Sequence, residues 1–336
     1  MKRSCWLCVA ALFVLAPAAR SAGSAPLKLV RTFKLPPDVK GHFDHVTVDV
    51  KGRRIFTTPE DYKAVIVLDE QSGKIIHVIR GIERPHAVLY REDLNRIYVT
   101  DGGAGELKIF DGKTYTLLKT VKLLPDADSI GYDPATKYLY VDNGGGDAGQ
   151  TYSMFSVIDT TKGEKFADLK IDGDTLEAMA LDTSSPRIYV NNRAKNEVAV
   201  VDRETRSLLA SWPVTMGKVN VAMALDEANH RLFVACRSGH IVVFDTQTGK
   251  ELQALPITKG VDDLTYDPAR KRIYAACDGA VDVYEQSDAD HYQSVGKVET
   301  GPSAKTARLV PELSRYFVAA PQHGSSPAEI LVFEVQ

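Results

Sequence analysis

The stretch Arg96-Ile97-Tyr98-Val99-Thr100 decides the fold, because versions of it return at nearly regular intervals along the 336-residue chain. The third residue of each version is aromatic, and six of the seven versions begin with arginine. The seven aromatic residues are Phe56, Tyr98, Tyr140, Tyr189, Phe233, Tyr274 and Phe317. Their spacings of 42, 42, 49, 44, 41 and 43 residues are typical of a repeat architecture with about four strands per unit.

Each unit contains four short runs rich in Val, Ile and aromatic residues, separated by turn residues, which is the pattern of four β-strands. In the fifth unit these runs are 221–225, 231–236, 241–244 and 251–257. Seven such units predict an all-β protein, a seven-bladed β-propeller of four-stranded antiparallel blades. The seventh unit lacks one strand, while residues 29–35 precede the first, so we expect an N-terminal strand to close the ring.

The first 24 residues have the pattern of a secretory signal. Lys2 and Arg3 precede an apolar run over 5–16, which is followed by small residues up to Gly23. A membrane anchor is the alternative, but this run is shorter than the roughly 20 apolar residues that span a bilayer as a helix. We therefore expect residues 1–24 to be removed and 25–336 to form a single propeller domain. The mature protein is expected to be periplasmic or secreted, monomeric, and without membrane insertion.

The charge balance argues against a nucleic-acid surface, and the positions of the cysteines argue against a disulfide. The chain has 41 basic and 44 acidic residues, whereas a nucleic-acid surface carries a basic excess, so no nucleic acid partner is expected. Cys236 and Cys277 follow the repeat aromatic by three residues in consecutive units. Equivalent side chains of successive blades point the same way around a ring, so their Cβ atoms do not face each other as a disulfide requires. We expect two buried free thiols.

Several repeats continue as Tyr-Val-Thr, Tyr-Val-Asp-Asn or Tyr-Val-Asn-Asn and lead into Val-x-Val-x-Asp segments such as residues 198–202. In these motifs the chain resembles the YVTN-repeat family, the YncE-like exported propellers, over essentially all of residues 25–336. The resemblance implies the propeller fold and export, and it implies no defined activity. Copies one, five, six and seven lack the trailing asparagine, so a role tied to that residue does not extend around the ring.

One column of the repeats is almost entirely ionisable. Neither neighbouring column shares this property, since the one before contains no ionisable residue and the one after contains only His45 and Asp263. The innermost strand of each propeller blade begins beside the central channel, so we expect the column to converge at one channel mouth. Its members, twelve residues before each repeat aromatic, are Asp44, His86, Asp128, Glu177, Val221, Asp262 and Lys305.

We predict that the acidic members of this column and its histidine bind a metal ion: Asp44, His86, Asp128, Glu177 and Asp262. Four carboxylates suit Ca²⁺, whereas an imidazole from His86 or His45 favours a transition metal. The alternative is a solvated channel that is polar because strand entries border loops. No other cofactor is indicated by the sequence.

Two loops on the same face of the repeat array are longer than their equivalents in other units. They are residues 143–152 in the third unit and 321–327 in the seventh. Extra loop length on one face of a repeat array is typical of a binding face. We therefore expect a protein partner or a small ligand to bind there. The polar residues that we expect to contribute contacts are His45, Asn220, Asp263, Lys305, Asn143, Asp147, Asn192 and His323.

These observations favour an exported, non-catalytic propeller that binds a partner protein, a small ligand or a metal at the channel mouth. The alternative is a metal-dependent hydrolase or lactonase, with a cation held by acidic residues of the column and with His86 or His45 as general base. The sequence contains no serine-nucleophile elbow and no phosphate-binding loop. An electron-transfer role would need a redox centre that no motif indicates.

Overall fold

The structure, a computed structural model, describes residues 25–336. Seven four-stranded antiparallel sheets form a ring, so the predicted seven-bladed β-propeller is confirmed. Within the described residues, helical structure is confined to short 3₁₀ turns, and no helix is long and apolar enough to cross a membrane. These turns are Glu60–Tyr62, Gly145–Ala148, Arg193–Lys195 and Pro311–Leu313. The predicted signal, residues 1–24, lies outside the described residues.

Every blade runs from an innermost strand at the channel to an outermost strand at the rim. The innermost strands are β2 (Phe43–Asp49), β6 (Pro85–Arg91), β10 (Ile130–Asp133), β14 (Leu176–Leu181), β18 (Asn220–Asp226), β22 (Asp263–Asp267) and β26 (Thr306–Val310). The second strands, which carry the repeat motif, are β3 (Arg54–Pro59), β7 (Arg96–Asp101), β11 (Tyr138–Gly144), β15 (Arg187–Asn192), β19 (Arg231–Cys236), β23 (Arg272–Cys277) and β27 (Arg315–Ala320).

The two outer layers complete each blade. The third strands are β4 (Val65–Asp69), β8 (Glu106–Asp111), β12 (Tyr152–Asp159), β16 (Glu197–Asp202), β20 (His240–Asp245), β24 (Gly279–Asp288) and β28 (Glu329–Val335). The outermost strands are β5 (Ile75–Ile79), β9 (Leu117–Lys122), β13 (Glu164–Asp172), β17 (Ser207–Pro213), β21 (Lys250–Pro256), β25 (His291–Gly301) and, for the seventh blade, β1 (Leu27–Lys34). The four predicted strands of the fifth blade each lie within one residue of their observed bounds.

Strand β1 closes the ring, as predicted. It pairs antiparallel with β28 over most of its length, with Leu27 opposite Val335 and Lys34 opposite Glu329. The seventh blade therefore combines one strand from before the first blade with three from the end of the described chain. Without β1, the backbone donors and acceptors on the outer side of β28 would form an exposed sheet edge.

The repeat motif supplies the contacts between blades. Successive residues of a strand point to opposite faces of the sheet, so each repeat aromatic packs toward the next blade, and the residue before it packs toward the preceding blade. Tyr98, for example, shares a buried cluster with Leu139 of the third blade. The same contact closes the ring between Phe317 and Ile55. The motif is therefore repeated because every blade presents the same two surfaces to its neighbours.

The polar residue two positions after the repeat aromatic anchors the innermost strand. In the first blade, Thr58 Oγ1 accepts a hydrogen bond from the backbone N–H of His45 at 2.8 Å and donates to the carbonyl of His45 at 3.1 Å. In the second blade, Thr100 Oγ1 accepts from the N–H of Ala87 and donates to the carbonyl of Asp128, both at 2.8 Å. The register of β2 and β6 is irregular at these positions. Such irregularities re-aim neighbouring side chains, here at the channel mouth.

The two cysteines of the propeller are free and buried, as the repeat geometry predicts. Cys236 lies in the core between the fourth and fifth blades, and Cys277 lies in the next core, between the fifth and sixth. Burial raises the pKa of the Cys236 thiol to about 12. Both residues therefore act as small apolar side chains rather than as reactive thiols.

Candidate metal centre at the channel mouth

The starts of the innermost strands surround a cavity of about 270 Å³ at one mouth of the central channel. The structure brings all members of the ionisable column together there, from Asp44 in the first blade to Lys305 in the seventh. Its lining contains seven carboxylates but only two arginines and one lysine. The charges are distributed unevenly around the cavity. The side formed by blades one to three differs in its charges from the side formed by blades four to seven.

On the side formed by blades one to three, His86 links two carboxylates. Its Nδ1 donates to Oδ2 of Asp44 and lies 3.8 Å from Oδ1 of Asp128. Its Nε2 is buried and has no hydrogen-bond partner among residues 25–336. The ring lies against Gly102, where an added Cβ would be 2.5 Å from His86 Cδ2. A residue without a side chain is therefore required at position 102 for His86 to reach Asp44.

The contact between Asp44 and His86 is an ion pair at neutral pH. Burial opposes ionisation of Asp44, but the charges of His45 and His86 lower the pKa of this carboxyl to about 2. Burial likewise opposes protonation of His86, but the neighbouring carboxylates of Asp128 and Asp44 raise its pKa to about 10. Both groups thus remain charged across the physiological range.

His45 is the imidazole that faces the open part of the cavity. Its side chain is 30% exposed, against 10% for His86. Its Nε2 lies 3.8 Å from Oδ1 of Asp44, while its Nδ1 lies 3.9 Å from Oδ1 of Asp263. Asp263 is itself fixed, because its Oδ2 accepts a 2.7 Å hydrogen bond from the backbone N–H of Ala307. His45 therefore stands between an anchored carboxylate and the acidic side of the cavity.

The irregular register of β2 explains how His45 and Asp44 both reach the cavity. Adjacent residues of a regular strand point to opposite faces, but β2 loses its regular pairing with β3 between Phe43 and Val46. Both side chains consequently line the same space. One ligand atom from each of Asp44, His45 and Asp128 lies within 4.8 Å of the other two, so these residues can hold a metal ion.

Carboxyl groups crowd together on this side of the cavity, which disfavours their ionisation. Burial raises the pKa of Asp128 well above its usual value, and the carboxylates of Asp44 and Glu177 add to the effect against the opposing charge of His86. Beneath it, Asp142 is only 2% exposed, and its Oδ1 has no hydrogen-bond partner among the described residues. Burial and the nearby Asp128 raise the pKa of Asp142 as well. A bound cation would offset this crowding.

On the side formed by blades four to seven, two of the three carboxylates, Glu177 and Asp262, have arginine or lysine partners. Arg193 donates from Nη1 to Oε1 of Glu177 at 2.7 Å. Asp262 accepts a short hydrogen bond from Arg237 and forms an ion pair with Lys305 at 3.1 Å. The structure thus divides the five predicted metal ligands into two sets. Asp44, His86 and Asp128 lie on the acidic side, whereas Glu177 and Asp262 are neutralised by neighbouring cations.

Several residues of the cavity are not found by the column alone. Glu60, Arg193 and Arg237 stand four residues after the repeat aromatic, where each loop between the second and third strands begins. His42 and Asp126 stand two residues before the ionisable column. Both positions recur at the repeat period, so comparing the repeats in register at these two further columns would have identified these residues.

Of the residues predicted for the ligand face, His45, Asp263 and Lys305 line the cavity. The three asparagines are buried instead and bond to the protein itself. Asn143 accepts from the N–H of Leu124 at 3.0 Å, and Asn192 donates to the carbonyl of Asp172 at 2.9 Å. Asn220 donates to the side chain of Asn191 at 2.8 Å. These hydrogen bonds of the asparagines stabilise loops and the starts of strands.

The remaining two predicted residues lie outside the cavity. Asp147, in the insertion of the third blade, is exposed and contacts Arg84 at 2.5 Å. Arg84 also pairs with Asp126 at 3.1 Å, so the insertion is tied to the rim of the cavity. His323 borders a separate small cavity of about 170 Å³ in the loop of the seventh blade.

Comparison with known proteins agrees with the fold and leaves the activity open. No family model matches the sequence. Two curated relatives, each named "Uncharacterized protein YncE", come from Salmonella typhi and Salmonella typhimurium and are 34% and 33% identical over 119 residues. The match covers 35% of this chain and 33% of each relative, so the chain aligns with about a third of the length of the curated relatives. The similarity agrees with the resemblance to YncE-like propellers that the motifs indicate.

Among solved structures, a chain in the "Crystal Structure of Mitotic Checkpoint Complex" is similar to this one with a TM-score of 0.74. The similarity covers 99% of both chains at 13% sequence identity. At that level of identity it shows the propeller fold alone. The function therefore has to be inferred from the side chains at the channel mouth.

Proposed function

We propose that the protein is an exported binding protein that holds one divalent transition metal ion at the channel mouth through Asp44, His45 and Asp128. The observation that carries this proposal is the position of His45, which lies between the anchored carboxylate of Asp263 and the carboxylate of Asp44. Export is part of the proposal because of the signal pattern in residues 1–24.

The arrangement around His45 is the one that metal-binding histidines favour. In metal sites, one ring nitrogen coordinates the ion and the other commonly faces a carboxylate that fixes the orientation of the ring. Here Nδ1 faces Asp263, so Nε2 is directed to the side on which Asp44 lies. His86 plays a comparable part for Asp44, because it donates to Oδ2 of that carboxylate. Each ligand thus has a second residue beside it, Asp263 for His45 and His86 for Asp44.

The donor set favours a transition metal over calcium. Ca²⁺ takes six to eight oxygen ligands, whereas imidazole nitrogen with two carboxylates suits Zn²⁺ or Mn²⁺. Glu177 and Asp262 would raise the number of oxygen donors, but each already pairs with a cation of the protein. Three protein ligands would leave positions on the ion open toward the cavity.

The hydrolase alternative would use the same ion together with a general base. His86 does not suit that role, because Nδ1 bonds to Asp44 and Nε2 is buried against Gly102. His45 is engaged as a ligand in the proposed site. The geometry therefore supports metal binding better than hydrolysis.

Isothermal titration calorimetry of the metal-free protein with Zn²⁺ and Mn²⁺ tests the proposal. We expect one ion per chain, and we expect Asp128→Asn and His45→Gln to weaken binding by about 100-fold or more. Glu177→Gln is the matched control, because this carboxylate lines the same cavity but pairs with Arg193. The proposal fails if neither metal binds, or if Glu177→Gln weakens binding as much as Asp128→Asn.

A further inference from the structure

The side of the cavity formed by blades four to seven has more N–H hydrogen-bond donors than its carboxylates accept from. A guanidinium has five N–H donors, but the guanidinium of Arg237 makes a single hydrogen bond within residues 25–336, to Asp262. Its Nε is shielded from solvent and has no partner there. Lys305 contacts the same carboxylate at 3.1 Å. Two cations therefore share one acid, so the group of Arg237, Lys305 and Asp262 carries a net positive charge.

This cationic pair and the proposed metal ligands face one space. Arg237, Lys305, Asp44, His45 and Asp128 all line the same cavity. Its volume of about 270 Å³ is close to the size of a site for a small molecule. An occupant that lies within the cavity and reaches both sides is therefore a small organic molecule.

The charges define the chemistry of that molecule. An ion held by three protein ligands has open positions that accept an anionic oxygen donor. On the other side, arginine binds a carboxylate through paired N–H donors, and lysine adds a point charge. Asp262 and Glu177 flank these cations and repel groups of higher negative charge. Both ends of the cavity thus favour a single carboxylate.

We infer that the metal-loaded cavity binds a small dicarboxylate, with one carboxylate on the ion and the other on Arg237 and Lys305. This inference rests on the proposed metal site. Arg237 and Lys305 are specificity-determining residues in this account. They hold the far end of the ligand, while Asp44, His45 and Asp128 hold the ion.

Calorimetric titration of the Zn²⁺-loaded protein with succinate, and in parallel with butyrate, tests the inference. Butyrate has the same four-carbon chain but a single carboxylate, so succinate is expected to bind at least about tenfold more tightly. Arg237→Gln and Lys305→Gln should each weaken succinate binding by about tenfold or more, and Zn²⁺ should still bind to both variants. Each single variant leaves Asp262 with one cation, so we expect the fold to be retained. Lys297→Gln, an exposed lysine of the sixth blade outside the cavity, is the matched control.

The outcomes separate the two proposals. If Zn²⁺ binds but succinate binds no better than butyrate, or binds equally to Arg237→Gln and Lys297→Gln, the dicarboxylate inference is overturned and the metal site stands. If Zn²⁺ does not bind to the parent protein, both are overturned. Melting temperatures of the variants within a few degrees of the parent verify that lost binding is not lost folding.

Discussion

Nδ1 of His86 donates a hydrogen bond to Oδ2 of Asp44, a residue 42 positions earlier that occupies the equivalent place in the preceding blade. The contact follows from the repeat itself, because the starts of the innermost strands converge on the channel. A base and an acid at equivalent positions of neighbouring blades become an ion pair. The same convergence sets Asp128 beside this pair.

The ion pair predicts a specific pH dependence of stability. His86 has its pKa raised from 6.5 to about 10, so its stabilising contribution is fully present below pH 6.5 and is lost as the pH rises through 10. We expect His86→Gln to lower the free energy of unfolding by on the order of 3 kcal/mol at neutral pH, because Asp44 loses its partner. Urea unfolding in the presence of a chelator, from pH 6 to 10, measures both effects.

The difference between the parent protein and His86→Gln should shrink toward pH 10. His323→Gln is the control, because His323 is exposed and lies outside the cavity. A stability difference between parent and His86→Gln that stays constant over the whole pH range would contradict the ion pair.

Asp263 should tune metal binding without being a ligand. Its carboxylate faces Nδ1 of His45 and is anchored by the N–H of Ala307. Loss of such a supporting carboxylate typically weakens metal binding by about 10- to 100-fold, so we expect an effect of this size from Asp263→Asn. Asp38→Asn, at an exposed position outside the cavity, should leave the affinity unchanged. Equal affinities of the two variants would remove Asp263 from the account.

Gly102 should be required for the position of His86. A Cβ at this residue would lie 2.5 Å from Cδ2 and 2.6 Å from Nε2 of His86, so Gly102→Ala must displace the ring. We expect destabilisation of about 1 to 3 kcal/mol, measured by urea unfolding, together with weaker Zn²⁺ binding. Gly146→Ala is the matched control, since its nearest neighbour would be 3.9 Å away. If both variants match the parent, His86 does not depend on Gly102.

The closing strand should be essential for solubility. Deleting residues 27–34 exposes the outer edge of β28 and removes Leu27 and Phe33 from two blade interfaces. We expect aggregation or a fall in melting temperature of roughly 10 °C or more, since several kcal/mol of packing is lost. Val30→Ala should have no such effect, because Val30 lies at the register shift of β1 and is partly exposed. An unchanged melting temperature of the deletion variant would argue against closure.

The fold could be predicted from the sequence because its signal is repeated. Seven copies of the motif give the number of blades, and the turn residues give the strand bounds. The position of the ionisable column could also be predicted from the sequence, since position in the repeat determines position along the channel. In each case a local pattern is sufficient, because every blade uses the same contacts.

The pairing within the cavity could not be predicted in the same way. Arg193 and Arg237 reach the cavity from loops, and only their side-chain directions show that they neutralise Glu177 and Asp262. His45 would point away from Asp44 if β2 were regular, and it faces the cavity only because the register shifts. The asparagines Asn143 and Asn192 look available in the sequence, but they bond to loop and strand backbone.

The most direct test of the account is the metal content of the protein purified without chelator, measured by inductively coupled plasma mass spectrometry beside Asp128→Asn and Glu177→Gln. We predict close to one transition metal ion per chain in the parent and in Glu177→Gln, and a loss of most of it in Asp128→Asn. The same low metal content in all three proteins, with no binding when Zn²⁺ or Mn²⁺ is added back, would contradict the metal site.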